Sequence, residues 1–151
     1  MVSCTEFIPL YSELFKFIEE KEGHEGVIKY WEHIRDVYVE PRLGKLAAEK
    51  GIAACWEYWS KSLNEEAADF TMTYDDEAQE FAIDMRYCPS RGLLNECKHI
   101  KPYHDYCGHC AYLYAPILAR FGIMAEEDYS RTDSAACFIK FFIPKTGAKK
   151  E

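Results

Sequence analysis

The chain has 151 residues, a formal net charge of −8, and 48% hydrophobic and 15% aromatic residues. That length predicts one domain over residues 1–151, and this much apolar material excludes a disordered chain. The acidic balance excludes nucleic acid and anionic membrane surfaces as partners, because both need clustered Lys and Arg to displace counterions.

From Glu6 to Glu20 the apolar residues Phe7, Leu10, Tyr11, Leu14, Phe15 and Ile18 recur at helical spacing. The segment Gly23-His24-Glu25-Gly26 breaks this helix, and a second runs from Val27 to Glu40, where Pro41 ends it. A third helical pattern spans Leu43 to Leu63, with Gly51 as its weak point. The period then changes to two. Phe70, Met72 and Tyr74, then Phe81, Ile83, Met85 and Tyr87, alternate with polar residues around the turn at Asp75-Asp76-Glu77 and predict a β-hairpin. A short helical or irregular stretch follows Cys88-Pro89. A helix from about Asp105 to Phe121 comes next, kinked or cut short at Pro116 and closed by Gly122 as a left-handed cap. Met124 to Arg131 and Ala135 to Ile143 form a second hairpin turning at Thr132-Asp133-Ser134. The expected fold is α+β: N-terminal helices in residues 1–63, then two hairpins joined as a four-stranded antiparallel sheet with helices packed on it. Residues 146–151, with Lys149 and Lys150, read as a disordered tail.

No apolar run approaches the roughly 20 residues of a membrane span, and the start lacks a basic, then apolar, leader. An odd count of seven cysteines is therefore read as reduced thiols in a cytoplasmic protein. Four of them fall with three of the five histidines in the window Cys88, Cys97, His99, His104, Cys107, His109, Cys110. On a helix, His104, Cys107 and Cys110 share one arc while His109 points away. Three readings of that face stand open. In one, Cys107 is a nucleophile activated at the start of a helix capped by Asp105, with His104 as base and Cys88 as a second candidate. In another, Cys107, Cys110 and His104 belong to a zinc or iron site. In the third the cysteines are packing residues, as Cys55 and Cys137 are read to be. Arg86 and Arg91, flanking Cys88, have the geometry to clamp a carboxylate, and Asp133 and Ser134 lie where they could reach a ligand at the sheet edge. For each of these four a solvated or ion-paired surface role is the simpler account. The tryptophan group Trp31, Trp56 and Trp59 with Tyr58 reads as core.

Three stretches also carry a likeness: Met85-Arg86-Tyr87-Cys88-Pro89 closing the first hairpin, Tyr106-Cys107-Gly108-His109-Cys110, and Asp133-Ser134-Ala135-Ala136-Cys137-Phe138 before the last strand. Over roughly residues 45–143 the chain resembles the L-2-amino-thiazoline-4-carboxylic acid hydrolase family, so that 64–145 would be its hydrolase-like α+β part. The resemblance implies opening of a 2-aminothiazoline ring by water at the amidine carbon. It matches Cys88, Cys107 and Cys137 to the recurrent cysteines. Cys110 stands where the family commonly has an acidic residue, and Asp133-Ser134 where it has Gly-Asp, so a different substrate is implied. A more distant likeness to 4-vinyl reductase-type small-molecule-binding domains implies a sensor or carrier. The expectation is a hydrolase of a small sulfur heterocycle or cyclic amidine that needs no cofactor. The alternatives are a binding module or a zinc or iron protein, and a homodimer is left open.

Overall fold

The computed structural model describes residues 4–64 and 67–145, and side chains from residue 6 onward; the tail 146–151 lies outside the described residues. Helix α1 (Cys4–Ile34) takes in both N-terminal helical patterns, joined at Gly23, whose φ of 72° and ψ of 177° are the predicted break. A left-handed φ of this kind strains any residue with a Cβ, which is why glycine stands there. The chain does not stop before Pro41. A π-helical segment (Arg35–Gly44) carries it straight into α2 (Lys45–Lys50), and its wider turn accommodates the proline ring and the missing N–H. After the break at Gly51 comes α3 (Ala53–Asn64).

Strands β1 (Asp69–Asp75) and β2 (Glu80–Tyr87) form the first hairpin. Helix α4 (Pro89–Glu96) starts with Pro89 in its first turn, where the absent N–H costs nothing. Helix α5 (Gly108–Ala119) runs on through Pro116, held by the buried Leu113, Ile117 and Leu118 on either side of it, and Gly122 ends it with the expected positive φ of 75°. Strands β3 (Met124–Asp128) and β4 (Cys137–Phe142) flank a short 3₁₀ turn at Thr132–Ser134. The sheet is antiparallel with order β1-β2-β4-β3, so the second hairpin docks by its later strand and the fold is α+β. No helix among the described residues is long and apolar enough to cross a membrane.

Alternation decides which side chains meet the helices. Phe81, Ile83 and Met85 on β2 pair with Phe141, Ile139 and Cys137 on β4 and face inward. Trp59 of α3 stacks its indole across the neighbouring rings of Phe81 and Phe141, with ring centroids at 5.6 and 5.2 Å. This cluster includes Leu43, Cys55, Leu118 and Ile123. A second, aromatic cluster gathers Phe15, Val27 and Trp31 of α1 with Leu94, Tyr103 and Tyr106. There the buried Ser12 hydroxyl accepts the backbone N–H of Tyr103 at 2.8 Å, tying α1 to the loop that leads into α5. Trp56 is exposed, so the tryptophans do not form one group.

Candidate functional site

Four cysteines from three elements converge where α5 meets the sheet. The backbone N–H of Cys88 donates to the Ala135 carbonyl at 2.7 Å, extending the β2–β4 ladder and bringing Cys88 beside Cys137, the first residue of β4. Cys107 occupies the N-cap position of α5, and Cys110 lies inside its first turn. All four line one cavity of about 290 Å³, whose walls include Trp59, Tyr106, Tyr129 and Arg91. Cys137 packs against the core, as expected, and lines the cavity as well; Cys55 is fully buried, as expected.

Burial decides the ionisation of these thiols. It pushes Cys107 up to about 11, with the Arg91 guanidinium opposing and the Cys88 thiol reinforcing the shift. It pushes Cys137 up to about 12, helped by Cys88 and Cys107, and Cys110 well above its ordinary value. The expectation of a low-pKa Cys107 is therefore corrected: desolvation outweighs the helix end, because Cys107 sits at the cap with no side-chain capping bond. Asp105 does not cap the helix. Its carboxylate packs against Gly108, where a Cβ would come within 2.5 Å of Oδ1.

The imidazole that lines this cavity belongs to His109 rather than His104. His109 Nδ1 bonds the Tyr106 carbonyl, so that nitrogen carries the proton and Nε2 presents a lone pair. Burial lowers its pKa to about 4, so the ring is neutral at physiological pH. Helical-wheel reasoning misplaced it because residues 103–107 are a series of three-residue turns, Tyr106 N–H to Tyr103 and Gly108 N–H to Asp105, and α5 begins at Gly108.

Tyr129 also lines the cavity, with its buried hydroxyl turned to the carboxyl of Glu127. Burial raises the Glu127 carboxyl, and the tyrosine hydroxyl's interaction with it counters in part. Glu127 was given no role in the sequence reading. The available signal was alternation, since Ala125, Glu127 and Tyr129 fall on the inward face of β3.

The remaining predicted residues divide. Arg91 reaches the cavity mouth, donating from Nε to the Thr132 carbonyl at 3.2 Å, with Asp133 Oδ1 at 3.5 Å from the guanidinium. A shallower recess of about 190 Å³ shares Arg91, Cys107, Tyr129 and Thr132 with the cavity and is bordered by His104 and Asp133. His104 thus reaches the recess, but its Nε2 is engaged by Glu19 at 3.0 Å. Arg86 is corrected to a cross-strand ion pair. One residue after the inward Met85, it bonds Asp69 at 2.5 Å and Thr71 at 2.6 Å on the opposite face of the sheet. Ser134 is exposed, lines neither space, and bonds the Arg131 carbonyl. The trio Cys107, Cys110 and His104 does not gather as metal ligands. Among the described residues, the group whose ligand atoms lie within 4.8 Å of one another is Glu19, His24 and His104. The His104 hydrogen bond, with Tyr103 adding a second, holds the Glu19 carboxyl below its ordinary range.

Comparison with family models, with curated proteins and with solved structures returns no match.

Proposed function

We propose that the four-cysteine cavity binds a small sulfur heterocycle or cyclic amidine, of the 2-aminothiazoline-4-carboxylate class, and opens its ring with water. The observation that carries this is convergence. Cys88, Cys107 and Cys137, the three cysteines matched by the resemblance, come from separate elements and line one cavity. About 290 Å³ suits a five-membered ring with two substituents. Arg91 takes the substrate carboxylate at the mouth, and the Tyr129 hydroxyl, backed by Glu127, supplies a hydrogen bond inside.

A thiol at about 11 is not a resting thiolate, so the substrate supplies the activation. Cys107 Sγ bonds the amidine carbon while its proton passes, by way of the neutral His109, to the ring nitrogen. The bond from that carbon to the ring nitrogen then breaks and the nitrogen keeps that proton, or the bond to sulfur breaks and the sulfur takes a proton from a nitrogen of the adduct. Water displaces Cys107 to leave a carbamoyl product, with one water consumed overall.

Binding without turnover is the second reading, favoured by the raised thiols and by the hold of Glu19 on His104. Incubating the purified protein with 2-aminothiazoline-4-carboxylate and following carbamoyl-cysteine by mass spectrometry separates the two. Turnover that falls at least a hundredfold in Cys107→Ser supports the hydrolase. A thermal shift with ligand but no product supports the binding module, and neither product nor shift overturns both.

A further inference from the structure

Away from the cavity, on the seam between α1 and the loop entering α5, we propose a site for a divalent transition metal of the zinc class, ligated by Glu19, His24 and His104. The three come from two segments about eighty residues apart in the chain, and their ligand atoms lie within 4.8 Å of one another. Glu19 Oε1 is 3.0 Å from His104 Nε2 and 3.5 Å from His24 Nδ1. Metal–ligand bonds of about 2.0–2.1 Å in a tetrahedron set ligand atoms about 3.3 Å apart, so the two separations from Glu19 bracket the coordinated spacing, and the two imidazoles, within 4.8 Å of each other, close on the ion by side-chain rotation. Two imidazoles and one carboxylate with an open position form a donor set of borderline softness, which suits zinc, cobalt or iron rather than calcium or magnesium.

The surroundings orient the ligands. The buried Tyr103 hydroxyl lies 3.0 Å from both His24 Nδ1 and Glu19 Oε1, so it already holds two of the ligands together, and it would give way at His24 Nδ1 to the ion. Both Glu19 oxygens reach His104 Nε2, at 3.0 and 3.2 Å, and His24 Nε2 lies 3.7 Å from Asp105 Oδ2, a carboxylate near enough to favour the ring without a hydrogen bond. The break at Gly23 supplies the backbone turn that presents His24 next to Glu19 on the same helix. With Lys16 bonded to the Lys101 carbonyl and Ser12 to the Tyr103 amide, the ion would complete a row of clamps. They fix the loop whose far end delivers Cys107 to the cavity.

The test uses the full chain, tag-free, reduced and stripped with chelator, titrated with cobalt(II) and then zinc(II). Cobalt should saturate at one equivalent with visible ligand-field bands and no sulfur-to-cobalt charge-transfer band, and zinc should displace it. His24→Ala and His104→Ala should each weaken binding at least tenfold, while Cys107→Ser/Cys110→Ser and His99→Ala, outside the cluster, leave it unchanged. Both histidines are exposed, so these variants should fold, which the unliganded melting curve checks. No saturable binding, binding indifferent to both histidine changes, or a sulfur charge-transfer band that disappears with the cysteines would each overturn the site.

Discussion

Two polar clusters flank the same loop, and they are opposites. The cavity cluster is built of sulfur and a neutral imidazole behind aromatic walls, and burial keeps its groups uncharged. The seam cluster is built of a carboxylate and imidazoles in reach of water, and its groups are held by one another. Burial sets chemistry in the first and hydrogen bonding in the second, although His104 and His109 are five positions apart. Substitutions should therefore be costly at the cavity through packing and desolvation, and mild at the seam except where the seam itself is buried.

The largest effect separates the two directly. Trp59→Ala removes the indole stacked across Phe81 and Phe141 and opens the cavity wall, so it should cost about 3–5 kcal/mol in denaturant unfolding. His104→Ala, at an exposed hydrogen-bonded pair, should cost less than about 1 kcal/mol. Equal costs at the two positions would break the comparison.

Acid should sharpen it next. Between about 6.5, its ordinary value, and about 4, the unfolded chain takes up a proton at His109 that the folded chain refuses. Stability is therefore lost as pH falls through that window, by up to roughly 3 kcal/mol from this group. Glu127, with its carboxyl raised, acts in the opposite sense and favours the fold at the acid end. Melting curves from pH 7 to pH 4 should show His109→Gln losing less stability than the parent by about that amount. An unchanged pH slope would mean that the ring is not held neutral.

Much of this contrast was legible in the residue pattern, and the part that was not has a physical reason. Period-two alternation gave the hairpins because a sheet with one covered face repeats its environment every second residue, as Phe81, Ile83 and Met85 show. Gly23 and Gly122 marked backbone turns that residues with a Cβ resist. Three cysteines of the window line the cavity, and Cys137, which the resemblance matched from outside the window, lines it with them. His109 was turned away from that face because a helical wheel was extended over Tyr103–Cys107, where the turns are tighter than α. Arg86 was overvalued because charge beside a cysteine says nothing about which face of a strand it occupies. No local pattern could pair Glu19 and His24 with His104, because that contact is made by tertiary packing of α1 on a distant loop.

Ser12→Ala sharpens the comparison from the seam side. It removes the acceptor of a buried backbone N–H, so about 1–3 kcal/mol should be lost, more than at the exposed His104 on the same seam. Proteolysis of the 97–107 loop should accelerate with it, since the loop loses its one fully buried polar tie among those described.

The smallest effect is electrostatic and lies in the cavity. Arg91 is the one cation lowering Cys107 against the burial that holds it at about 11, and its guanidinium is anchored by the Thr132 carbonyl rather than by a tightly bonded carboxylate. Arg91→Gln keeps a donor of similar reach and removes the charge, so the thiolate fraction at a fixed pH should fall. Alkylation of Cys107 by a neutral probe, mapped by mass spectrometry across pH 8–10, should slow by about two- to tenfold, the consequence of up to about one pKa unit. Cys110 should stay unreactive in parent and variant alike, because its burial leaves little to be gained from one charge at the mouth. His104→Ala is the matched control from the seam: its imidazole borders the recess but answers to Glu19, so Cys107 should react as in the parent. A slowing equal to that of Arg91→Gln would mean that the two clusters share their electrostatics across the recess, and the separation drawn between them would fail at that point.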